Sequence, residues 1–155
     1  MCIRDSSKGE PYLIEYNIRM GDPECQVLMM RLKTDLLEIK YLATKDKLND
    51  FEIEWNEDNC MTIVLCANGY PGNHVNNSEI EKLPSADQDN NKQIFHAGTY
   101  KKNNKIFSNG GRVLNFVSTS DDFLKCRDET INLIKKLDWK NGYFRRDIGY
   151  KVIKI

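Results

Sequence analysis

The sequence predicts an α+β chain, with a β–α opening followed by a mostly β module that carries one late helix. Three observations predict it. Residues 12–20 alternate in chemistry at the period of a strand, and residues 24–48 repeat apolar side chains every three or four positions. From residue 60 to residue 120, short apolar runs are separated by turns rich in Asn, Gly and Pro, and one amphipathic helix follows them.

The opening element lies in PYLIEYNIRMGDPECQ, residues 11–26. Strand side chains alternate between two faces. Tyr12, Ile14, Tyr16, Ile18 and Met20 therefore make an apolar face, while Leu13, Glu15, Asn17 and Arg19 make the other. Asp22 suits a helix N-cap, Pro23 the first helical position and Glu24 the first turn. Val27, Leu28, Met30 and Leu32, then Leu36, Leu37 and Leu42, carry the helical period. Thr34 with Asp35 can cap a second helix, so this stretch is one helix or two.

FEIEWNEDNCMTIVLCANGYPG reads as two strands across an NEDN turn, and residues 73–92 are polar and irregular. QIFHAGTYKKNNKIFSNGGRVLNFVSTS reads as strand, turn, strand, a Gly-Gly turn and a longer strand. A helix capped by Ser120 or Asp121 follows, with Phe123, Leu124, Ile131, Ile134 and Leu137 on one stripe. The tail YFRRDIGYKVIKI reads as extended.

Lys plus Arg and Asp plus Glu both number 23, so bulk charge gives no reason to expect nucleic acid or a membrane surface as partner. The longest apolar block, CMTIVLCA at 60–67, is strand-sized and far below the roughly 20 residues of a membrane span. Five cysteines without a C-x-x-C pair fit reduced thiols of a cytoplasmic protein. MCIRDS matches a translated sequencing-adapter end. Residues 1–6 are accordingly expected to be a scar, with the protein continuing upstream.

The polar strand face carries chemistry. Glu15 and Asn17 stand about 7 Å apart along one strand face. Two such oxygen donors suit Mg²⁺, which keeps waters and substrate phosphates in the rest of its shell. Arg19, next on that face, can bind phosphate oxygens and stabilise charge on a transferring group. The same pentapeptide is also compatible with a solvent-exposed face on which Glu15 and Arg19 pair loosely. Gly21 to Glu24 can likewise serve only the turn and the helix start.

Beyond periodicity, EYNIRMGDPECQVLMMRLKTDLLE resembles the end of the ATP-grasp region of glycinamide ribonucleotide synthetases, the phosphoribosylamine–glycine ligase family. The carrying residues are Arg19, Gly21, Asp22, Pro23, Glu24 and Gln26. NGYPG (68–72), FHAGT (95–99), GGRVL (110–114) and YFRRDIGYK (143–151) resemble blocks of the family's C-terminal domain, in the family's order. Asn115 and Phe116 are unusual after GRVL.

The resemblance implies residues 7–50 as the end of an ATP-grasp domain and 51–155 as the family's C-terminal domain. It implies ATP-dependent joining of glycine to 5-phosphoribosylamine through a glycyl phosphate, in purine biosynthesis. Glu15 and Asn17 match the metal ligands for Mg²⁺ or Mn²⁺, Arg19 a catalytic phosphate-stabilising group, and Asp22 and Glu24 a substrate-binding loop. The Gly-rich loop, its lysine and the ATP lid are not in this chain, so it is expected to be inactive without upstream domains. Two other readings stay open: another ATP-grasp carboxylate–amine ligase, or a non-catalytic binding or scaffold module. His74 and His96 read as structural. Arg112, Arg145, Arg146 and Asp147 read as anchors of the C-terminal segment or as a surface ion network.

Overall fold

The computed structural model describes residues 18–85 and 91–153 in full, and residues 2–7 and 10–16 at the level of strand pairing. In chain order the elements are β1 (Cys2–Ser7), β2 (Glu10–Tyr16), α1 (Glu24–Arg31), α2 (Leu36–Thr44), β3 (Asn59–Ala67) and β4 (Glu79–Ile80). They continue with β5 (Lys92–His96), β6 (Thr99–Lys102), β7 (Lys105–Ser108), β8 (Arg112–Ser120), α3 (Phe123–Lys135), β9 (Gly142–Tyr143) and α4 (Tyr150–Ile153). All strand pairing among these elements is antiparallel, and helices and sheets are both present, so the chain is α+β.

The core forms on a four-stranded sheet of order β5-β8-β3-β9. Met61, Ile63, Leu65 and Ala67 alternate inward along β3, opposite Leu114 and Phe116 of β8, and all six are buried. Helix α3 covers this face with Cys126, Leu133 and Ile134. The hydroxyls of its buried Thr130 and of Ser118 lie against each other and at 2.9 and 2.6 Å from the Cys126 carbonyl, so that one donates to the carbonyl and the other to the carbonyl or to its neighbouring hydroxyl. These buried hydroxyls are thereby satisfied. A three-stranded sheet of order β4-β7-β6 adds Ile80, and Ile106 packs against the cluster. Helix α1 packs on β3 and β8 as well.

Several local expectations are corrected. The opening strand ends at Tyr16, because a bend at residues 18–19 leads into the Gly21 turn. Ile18 is therefore fully exposed and Met20 exposed, and the apolar face stops short of both. The α1 cap position is Pro23, which makes no side-chain cap; the Glu24 carboxylate instead accepts from the Gly21 amide at 2.8 Å. The helical stretch is two helices, with Asp35 capping α2 by accepting from the Leu37 and Glu38 amides.

Residues 51–55 do not form a strand beyond a single bridge between Leu32 and Trp55. Their backbone is used elsewhere: the Glu54 carbonyl accepts from the Lys33 and Thr34 amides, and Asn56 donates to the Arg31 carbonyl. Residues 92–108 form three strands, because Asn103 and Asn104 both take positive φ and make a tight hairpin turn. The α3 cap is Asp122, accepting from the Lys125 amide at 2.7 Å, since Ser120 still belongs to β8. Leu124 is exposed, and Cys126 and Thr130 take the buried stripe instead. The tail is extended only at its start in β9, for residues 146–149 turn and lead into α4.

Candidate functional site

Parts of the five sequence blocks singled out above come together at one end of the four-stranded sheet: Gly21–Glu24, 68–72, 95–99, 110–114 and Tyr143. Gly98 and Gly110 face each other there: a Cβ on Gly98 would stand 3.0 Å from the Gly110 Cα and 2.7 Å from the Arg112 carbonyl oxygen. The Gly98 amide donates to that carbonyl at 2.9 Å. A Cβ on Gly111 would meet the Tyr70 ring at 2.1 Å, so Gly111 lets the 68–72 turn lie against the start of β8. The Tyr143 hydroxyl donates to the Tyr70 carbonyl, which ties the tail to the same turn.

The Gly21–Glu24 loop joins this end through Arg112. Its Nη1 donates to the Asp22 carbonyl at 2.9 Å, and its Nη2 lies 3.3 Å from Asp22 Oδ2. The other carboxylate oxygen of Asp22 accepts from Gln26 Nε2 at 3.0 Å. Both Asp22 oxygens are thus engaged, and the Glu24 carboxylate closes the loop on Gly21. The Asp22–Pro23 and Tyr70–Pro71 peptide bonds are cis. Between loop, sheet and tail lies a cleft of about 250 Å³, whose walls include Pro23, Thr62, Val64, Tyr70, Phe144 and Arg145. Burial pushes the Cys66 thiol of this wall up, and the Arg112 charge opposes that shift.

Each expected site residue has a definite standing. Arg19 is exposed and donates through Nη1 to the Met20 carbonyl at 3.1 Å. Glu15 belongs to β2, where it pairs in register with Ile3, and its side chain lies outside the described residues. Asn17 lies outside them altogether. Among the described residues no group of three or more His, Cys, Asp or Glu side chains converges to hold a metal. The histidines make local contacts only: His96 Nδ1 with Thr99 Oγ1 at 2.9 Å, and His74 Nδ1 with the Gly72 carbonyl at 3.0 Å.

Arg112 does anchor the C-terminal module to the loop, whereas Arg145 pairs locally with Asp147 at 2.8 Å. That hydrogen-bonded pair holds the Asp147 carboxyl below its ordinary range. Arg146 offers its carbonyl to the Arg127 guanidinium. The Tyr143–Tyr70 bond escaped the sequence reading. Its only sequence signal is that both residues sit in resemblance blocks.

With this geometry in place, the comparisons are specific. The chain is 45% identical over 148 residues to the phosphoribosylamine–glycine ligase of Agrobacterium fabrum, covering 96% of this chain and 34% of that protein. It is 37% identical over 152 residues to the chloroplastic phosphoribosylamine–glycine ligase of Arabidopsis thaliana, covering 97% of this chain and 29% of that one. The crystal structure of the Thermotoga maritima phosphoribosylamine–glycine ligase superposes with a TM-score of 0.68 at 29% identity, over 90% of this chain and 34% of its own. The chain spans about a third of the length of the curated relatives it matches. Residues 60–151 match the family model described as the phosphoribosylglycinamide synthetase C domain, and the chain belongs to that family.

Proposed function

We propose that this chain supplies the C-terminal part of a phosphoribosylamine–glycine ligase, which joins glycine to 5-phosphoribosylamine at the expense of ATP in purine biosynthesis. The observation that carries this reading is the convergence of the Gly21–Glu24 loop with the 68–72, 95–99, 110–114 and 143–144 segments at one sheet end. In this reading ATP phosphorylates the glycine carboxylate, and the amine of phosphoribosylamine displaces phosphate from the acyl phosphate. The ATP-binding elements come from upstream domains, and the chain alone carries no turnover.

Glu15 and Asn17 would hold Mg²⁺ or Mn²⁺: a carboxylate and an amide oxygen are hard donors, and two protein ligands leave room for water and phosphate. When bound, the ion neutralises phosphate charge and orients the transferring group. Arg19, exposed and donating to its neighbour's carbonyl, would swing onto phosphate oxygens. Asp22 and Glu24 form the substrate loop, and their carboxylates are already used to shape it. The compartment in this reading is the cytoplasm, which suits the free thiols of Cys25, Cys60, Cys66 and Cys126. No helix among the described residues is long and apolar enough to cross a membrane.

The test is Glu15→Ala in the chain extended by its upstream region. Mg²⁺-dependent ligation disappears while the thermal midpoint stays put. Undiminished turnover in that variant removes the metal assignment. Product formation by the purified 155-residue chain removes the dependence on upstream domains.

A further inference from the structure

The Gly21–Glu24 loop is fixed less by packing than by polar contacts. Helix α1, which follows it, has no fully buried residue. Gln26 Oε1 of α1 is buried without a hydrogen-bond partner, as are Thr62 Oγ1 and both amide atoms of Asn115. Thr62 and Asn115 alternate with Ile63 and Phe116, so they lie on the sheet face away from α3. Unsatisfied polar atoms weaken an interface, so apolar burial alone does not hold α1 and its loop in register.

Arg112 supplies the missing constraint. Its backbone is held on both sides, pairing with Cys66 at a bulge and accepting from the Gly98 amide. Its guanidinium then reaches Asp22 twice, at the backbone carbonyl and at a carboxylate oxygen, across 90 residues of sequence. Two donors of one planar fork on two acceptors of one residue fix orientation as well as distance, which an ammonium cannot do. A free surface ion pair contributes little, but this pair has a rigid base and a neighbouring Gln26 bond to the second carboxylate oxygen.

We infer that Arg112 is a positioning residue: through Asp22 it holds the Gly21–Glu24 loop in the geometry used by the ligation chemistry. The clamp stands on the contacts alone, and its catalytic consequence rests on the ligase reading above. The test therefore has two readouts on Arg112→Lys and Arg112→Ala. In the 155-residue chain, backbone amide exchange is followed at Glu24 and Cys25, which both bond the Gly21 carbonyl, with β8 amides as the folding control.

Arg112→Ala is expected to speed exchange at Glu24 and Cys25 by about tenfold or more with β8 unchanged, and Arg112→Lys to fall between. In the upstream-extended protein, Arg112→Ala lowers kcat by on the order of 10²-fold at unchanged KM for ATP, and lysine recovers part of it. Unchanged exchange at Glu24 and Cys25 in both variants overturns the clamp. A loosened loop with undiminished ligation overturns the positioning role. A loosened loop in an extended parent protein that never ligates supports the clamp and overturns the ligase reading instead.

Discussion

Single side chains decide most of the stability argument. Burial pushes the Cys60 thiol up to about 12, with Cys126 nearby adding to the shift and Arg31 opposing it. An unfolded thiol ionises near 9.0, so the folded chain keeps this proton to higher pH than the unfolded chain does. The resulting stability is complete below pH 9.0 and is lost as pH rises toward 12. Urea midpoints measured across that window are expected to fall less steeply for Cys60→Ser than for the parent chain. At Phe116, buried at the centre of the sheet, truncation to alanine removes a full aromatic side chain and costs about 3–5 kcal/mol by urea unfolding. Gly98→Ala belongs with these. Its new methyl would press on the Arg112 carbonyl at 2.7 Å and on the Gly110 backbone at 3.0 Å, neither of which is a flexible side-chain tip. The expected loss is about 1–3 kcal/mol, read as a lower thermal midpoint.

At the scale of elements, α2 has no buried residue, and its Leu37 and Tyr41 are exposed, so the Asp35 cap is a large share of what holds it. Asp35→Ala is expected to cost α2 about 1 kcal/mol. Faster amide exchange over Leu36–Lys40 with little change in β8 would show it, and equal slowing or speeding of both would contradict a local cap. The elements legible in the sequence were those whose period matches their burial. The apolar block at 60–67 does form the strand β3, and α3 buries Ile134 on the expected side. Two of the failures share a cause: a bond to another segment outweighed local pattern. Residues 51–55 look like a strand, but the Glu54 carbonyl is taken by the α1–α2 connection. Asp22 looks like a cap, but Arg112 and Gln26 take its carboxylate. A short window around Asp22 contains Gln26 but not Arg112, 90 residues away.

For the whole molecule, the candidate site was half legible. The five blocks could be recognised individually, yet only the fold brings the Gly21–Glu24 loop against Arg112, whose carbonyl in turn accepts from the Gly98 amide. Arg112 was readable as an anchor but not its target, because the contact spans 90 residues. In the function proposed above, this sheet end is one wall of a ligase active site completed by upstream domains. The most direct measurement grafts this chain onto the upstream two-thirds of the Agrobacterium fabrum relative, in place of the matching third, and follows product formed from glycine, 5-phosphoribosylamine and ATP. Mg²⁺-dependent turnover that Glu15→Ala abolishes is expected. A folded, ATP-binding hybrid that forms no product, or one whose turnover survives Glu15→Ala, would contradict it.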